Sequence, residues 1–130
     1  MKSTWRSLWC LALMLLLPGA VRAANLVVSG QYESTGTTLV ISVQVGSPPP
    51  VAFIVLQHLP TGIKVIQATP RPAGQNRQTG TLKWFFKKPQ VGRHTLTIKL
   101  SEPVSKNRLR GEIRYRHPIS GKMVSSEINP

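Results

Sequence analysis

Val51-Ala52-Phe53-Ile54-Val55-Leu56-Gln57, then the turn Leu59-Pro60-Thr61-Gly62, then Thr81-Leu82-Lys83-Trp84-Phe85-Phe86, is the stretch that decides the fold. The first run is too short for a core helix, and proline and Pro/Gly punctuation closes it on both sides, so it reads as a strand covered on both faces or nearly so. Pro60 fixes the backbone for a tight turn and Gly62 supplies the permissive residue. In the third run Leu82, Trp84 and Phe86 fall on one side and Lys83, Phe85 and Lys87 on the other, the period of a strand with one buried face. Burying a tryptophan removes ~200 Å² from water, several kcal/mol at ~25 cal/mol per Å², so Trp84 is read as the largest core residue.

The same alternation extends outward from this stretch. Residues 25–33 and 37–45 form a hairpin about Ser34-Thr35-Gly36, the second arm alternating Leu39, Ile41, Val43 and Val45 with Val40, Ser42 and Gln44. Gly46-Ser47-Pro48-Pro49-Pro50 ends pairing, because proline donates no backbone N–H. Strands follow at 63–68, 81–86 and 95–100, and a closing hairpin joins 108–117 to 122–128 about Pro118-Ile119-Ser120-Gly121. Residues 69–80, with Pro70, Arg71, Pro72, Gly74 and Arg77, read as a long polar loop, either a binding loop or a floppy one. The expected fold is an all-β, immunoglobulin-like antiparallel β-sandwich of about seven to eight strands.

Ahead of it stands a different kind of segment. Lys2 and Arg6, the apolar run 8–17, and Val21-Arg22-Ala23 have the order of a cleavable signal peptide, with cleavage after Ala23. The apolar run is half the ~20 residues a membrane span needs. The expected organisation is a signal peptide at 1–23 and one sandwich domain at 24–130, exported to the periplasm or beyond. Cys10 is the chain's one cysteine and falls in the segment to be removed, so the domain is expected to hold together by its core alone.

Residues 24–130 hold 14 Lys and Arg against Glu33, Glu102, Glu112 and Glu127 and no Asp, a net charge of +10. Such an excess favours contact with an anionic polymer or membrane surface, whether lipid headgroups, acidic polysaccharide, nucleic acid or an acidic protein, and equally keeps a protein soluble. Arg110, Arg114 and Arg116 alternate with Leu109, Gly111, Ile113 and Tyr115, and with Arg108 and Glu112 they make an outward row of side chains ~6.6–6.8 Å apart. That row is a candidate for contact with carboxylate, phosphate or sulfate. Lys99 is expected to extend it from a neighbouring strand; Arg71, Arg77 in the loop and Phe85 on the charged face are further candidate contacts. The competing reading is that charge on an edge strand keeps sheets of different molecules apart.

The succession Leu59-Pro60-x-Gly62-Ile63-x-Val65-x-x-Ala68, Gly80-Thr81-Leu82-x-Trp84 and Val91-Gly92-x-x-x-Thr95-Leu96-Thr97-Ile98 resembles the bacterial and archaeal surface repeats called DUF11 domains. The resemblance covers about residues 39–100 and rests on turns and core positions. It implies an immunoglobulin-like sandwich and a structural or adhesive role. The chain departs from that pattern in its basic balance and in having one domain where the family repeats.

Catalysis needs acids, bases or nucleophiles at matched positions. Four scattered glutamates and three histidines (His58, His94, His117) on different strands give no such constellation, so no enzyme activity, cofactor, metal or small-molecule substrate is expected. The two functional expectations are a module that docks onto an envelope, secretion or surface-assembly protein, and a basic protein that binds a polyanion: lipopolysaccharide, acidic glycan or extracellular DNA.

Overall fold

Two antiparallel sheets pack face to face in the computed structural model, which describes residues 26–130. The expected signal peptide, its cleavage after Ala23, and Cys10 lie outside the described residues. Nine strands form where seven to eight were expected: β1 (Val28–Ser34), β2 (Gly36–Val45), β3 (Ala52–His58), β4 (Val65–Thr69), β5 (Gly74–Asn76), β6 (Thr81–Lys87), β7 (Gly92–Val104), β8 (Arg110–Arg116) and β9 (Met123–Glu127). One sheet has the order β1-β2-β7-β4 and the other β5-β6-β3-β8-β9. This is the immunoglobulin-like arrangement of two aligned sheets, with β4 crossing to the four-stranded sheet before β5 and β6 return to the other.

The extra strand lies in the segment read as a loop. Ala73 N–H donates to Lys83 O at 2.7 Å, and β5 pairs Gly74 with Lys83 and Asn76 with Thr81. Trp84, almost wholly buried, donates its indole N–H to Pro70 O at 2.8 Å. The segment is therefore pinned, and the floppy reading of residues 69–80 is corrected. Backbone pairing across three polar residues leaves no hydrophobic alternation to read.

Alternation elsewhere builds the core as expected. Leu39, Ile41, Val43 and Val45 of β2, Leu96, Ile98 and Leu100 of β7, and Leu82 and Trp84 of β6 point inward. They meet Phe53 and Val55 of β3 and Ile113 and Tyr115 of β8 in one cluster. The reading of β3 as covered on both faces is corrected, because only Phe53, Val55 and Gln57 face the core. Ala52, Ile54 and Leu56 stay half-buried on the outer face of the sheet, flanked by β6 and β8, and among the described residues no further strand covers them.

Between β1 and β8 the two sheets come close enough to share a buried polar group. Tyr32 Oη donates to Gln57 Oε1 at 2.7 Å, and Gln57 Nε2 donates to the carbonyls of His58 and Arg110 at 3.0 and 3.3 Å. The chain's last residues seal this side: Ile128 N–H donates to Gly111 O, Asn129 N–H to Gly30 O, and Tyr32 N–H to Asn129 O. A Cβ on Gly111 would lie 2.6 Å from both the Tyr32 hydroxyl and Ile128 Cδ1 and 2.9 Å from Gln57 Oε1.

Gly111→Ala is accordingly expected to lower stability by about 1–3 kcal/mol through overpacking, read as a reduced urea midpoint with an unchanged slope; an unchanged midpoint would mean that the seam yields freely. Tyr32 offers a second check. Burial pushes its phenol up to about 12 from an ordinary value of 10, the bond to Gln57 acting in the opposite sense. The folded state thus favours the neutral phenol, a contribution fully present below pH 10 and lost as pH climbs towards 12. The urea midpoint of the native chain should fall more steeply over that window than that of Tyr32→Phe, and parallel profiles would contradict the assignment.

Candidate functional site

The outer face of the five-stranded sheet is where the sequence placed its candidate residues, and strand register shows which of them meet. β3 opposes Ile54 to Phe85 of β6 on one side and to Arg114 of β8 on the other. β8 in turn sets Arg114 beside Ser125 and Arg116 beside Met123 of β9. Phe85, Arg114 and Arg116 are thus brought together about the exposed half of β3. Val51, Ile54, Phe85, Arg114, Arg116 and Met123 line a shallow groove of about 530 Å³ on this face.

Four of the expected contacts lie elsewhere. Lys99 sits on β7 in the opposite sheet, between Thr38 and Gln67, so it cannot extend the arginine row. Arg108 belongs to a 3-10 turn, Lys106–Arg108, that precedes β8, so the row begins at Arg110. Arg71 and Arg77 flank β5 on the far side of the sheet. Arg77 instead joins Lys64 around a slot of about 450 Å³ floored by Leu59, Ile63, Val65 and Leu82. β8 is also an inner strand, paired with β3 and β9, which removes the edge-protection reading of its charges.

The row itself is partly neutralised. Arg114 Nη2 lies 2.7 Å from Glu112 Oε1, while Ser125 Oγ donates to Glu112 Oε2 at 3.1 Å. Arg116 Nη1 donates to Gly121 O at 3.2 Å, tying the strand to the turn that follows it. On β6, Lys87 Nζ stands 5.8 Å from the centre of the Phe85 ring, a cation over an aromatic face. The face therefore presents an apolar floor with guanidinium and ammonium groups at its rim.

Sequence reasoning missed how these groups continue onto one end of the sandwich. The segments 46–51, 88–91 and 117–122 are short connections from the strand ends Val45, Lys87 and Arg116, so all three lie together. Five of the seven large hydrophobic side chains left exposed among the described residues occur there or one row in, Val51, Phe85, Val91, Ile119 and Met123, and a sixth, Leu26, precedes β1, whose Val28 pairs with Val45 at the same end. The available signal was compositional, since 46–51, 85–91 and 114–125 contain no Asp or Glu.

Local bonding holds these tips in place. His117 Nδ1 accepts the backbone N–H groups of Ile119 and Ser120 at 3.1 and 3.3 Å, and His117 N–H donates to Lys122 O. Lys88 adopts a left-handed backbone, φ 46°, with its N–H donating to Val51 O at 2.7 Å. Each of the other two histidines is likewise engaged locally, His58 with Thr81 Oγ1 and His94 with Gln90 O. Among the described residues no group of three or more His, Cys, Asp or Glu converges.

Comparison with known proteins returns no matching family model, curated protein or solved structure.

A left-handed backbone at a non-glycine residue costs roughly 1–2 kcal/mol, while glycine loses about 0.4–1 kcal/mol through a looser unfolded chain. Lys88→Gly is therefore expected to be neutral or to raise stability by up to about 1 kcal/mol. A thermal melt that drops by several degrees would show that Lys88 makes a stabilising contact instead.

Proposed function

We propose that the chain is an exported, non-enzymatic β-sandwich module that docks onto a cell-envelope, secretion or surface-assembly partner. The observation that carries this reading is the apolar outer half of β3. A central strand of a solvated sheet ordinarily alternates apolar and polar residues, yet Ala52, Ile54 and Leu56 are all apolar and Phe85 and Met123 widen the strip. Contiguous apolar surface with a polar rim marks interaction sites, and an aromatic anchor beside arginines is the composition from which binding hot spots are drawn. The partner that fits carries an apolar anchor flanked by carboxylates, complementary to Lys87, Arg114 and Arg116. The surface-repeat resemblance points the same way, towards adhesion or assembly.

The polyanion reading is kept because of one observation, the net charge of +10 over residues 24–130, with no Asp or Glu in 46–51, 85–91 or 114–125. Salt separates the two. Contact made by charge alone weakens steeply with ionic strength, whereas apolar docking persists. Capture of an envelope component should survive 0.5 M salt and be lost in Phe85→Ala and Met123→Ser, with folding confirmed by circular dichroism. If capture vanishes with salt while those variants bind normally, and if changing Arg110, Arg114 and Arg116 to Ser lowers heparin or lipopolysaccharide retention, the polyanion reading stands in its place.

A further inference from the structure

We propose that the loop end of the sandwich seats on bilayers that carry anionic lipid. The loop end shares Val51 and Arg116 with the rim of the groove, whereas Lys88, Val91, Ile119 and Lys122, on which the test turns, line no part of it. Val51, Val91 and Ile119 are 81, 54 and 79% exposed, and they stand on three different connections at one end of the molecule. Around them lie Lys87, Lys88, Arg116 and Lys122, and the three segments that bear all these residues contain no acid to oppose them.

The arrangement of the apolar groups selects a fluid interface over a folded protein. Single aliphatic side chains on separate turns give no continuous area for the close packing that protein interfaces show. A headgroup and acyl-chain boundary closes around each of them individually, while the surrounding ammonium and guanidinium groups remain at the level of lipid phosphate. The tips are also set in advance. The His117 ring holds the turn that projects Ile119, and Pro48, Pro49, Pro50, Pro89 and Pro118 stiffen the three connections. Little conformational freedom is then lost on binding. Lys88, held in a left-handed turn beside Val51, is directed by backbone geometry that this fold maintains against its intrinsic preference.

The test is cosedimentation with vesicles of phosphatidylcholine, with and without phosphatidylglycerol. Both sheets and the core lie within residues 26–130, so the chain beginning at Ala24 is used, free of the apolar run at 8–17. Binding should require phosphatidylglycerol. Ile119→Ser with Val91→Ser should weaken it roughly tenfold or more, and Lys88→Gly with Lys122→Ser by roughly fivefold per cation. Phe85→Ala should bind vesicles as the native chain does, so that failure of the groove reading and failure of this one are separable. A thermal melt of each variant, taken beside the vesicle assay, separates loss of binding from loss of fold. Three results overturn the proposal: no binding that depends on phosphatidylglycerol, binding that follows Phe85 and ignores Ile119 and Val91, or salt-sensitive binding indifferent to both apolar substitutions and matched by heparin retention, which would mark a general polyanion surface.

Discussion

The hydrogen bond from Tyr32 to Gln57, with the glutamine amide returned to the carbonyls of His58 and Arg110, is the constraint on which the arrangement of both faces rests. A buried amide left unpaired costs on the order of 1–3 kcal/mol, so Gln57 is satisfied only when β1, β3 and β8 occupy one mutual position. That position fixes the register of β3 against β8. Because strand side chains alternate with a period of two, a slip of one residue would exchange Ile54 and Leu56 with Phe53, Val55 and Gln57. Taken up by β8 in place of β3, the slip would instead carry Arg110, Arg114 and Arg116 to the core side. Core and outer face are therefore two consequences of one polar anchor, and Gly111 is bare of a side chain so that the anchor and Ile128 fit against it.

Much of the core was legible because burial on one face leaves a mark in every second residue. Leu39, Ile41, Val43 and Val45 were read correctly on that ground, as were Trp84 and the alternation of Leu109, Gly111, Ile113 and Tyr115. The β3 run is ambiguous, since an uninterrupted apolar strand is equally the mark of burial on both faces and of one buried face backed by a half-exposed one. Only what packs over the outer face distinguishes these, and that is a tertiary fact. β5 left no mark at all because its pairing with β6 is made by backbone groups of Gly74, Gln75 and Asn76.

Residues of the candidate site were legible one strand at a time and not across strands. Arg110, Arg114 and Arg116 share a face because they share a strand, which spacing alone establishes. Lys99 was placed beside them for want of any local signal that β7 pairs with β2 and β4 in the other sheet. Neighbours in a sandwich are set by connections that cross between sheets, and nothing in the composition of β7 records which sheet receives it. The loop-end cluster illustrates the same limit: Val51, the connection carrying Lys88 and Val91, and Ile119 are far apart in the chain and ordinary one by one.

Charge and apolar exposure are distributed by different physical causes, and their coincidence at one end is what gives that end meaning. A strongly basic chain acquires cations everywhere, so lysines at a turn need no special explanation. Exposed aliphatic side chains at turns are individually unremarkable as well, since folded surfaces are largely apolar. The meeting of three exposed aliphatic side chains, Val51, Val91 and Ile119, at one end, on connections that carry no Asp or Glu, does not follow from either tendency. A sandwich needs its strands' inner faces and its seam in order to fold, and it does not need Val51, Val91 or Ile119 to be apolar. Side chains that folding leaves unconstrained, yet which share one chemistry in one place, are the ground on which the bilayer proposal rests.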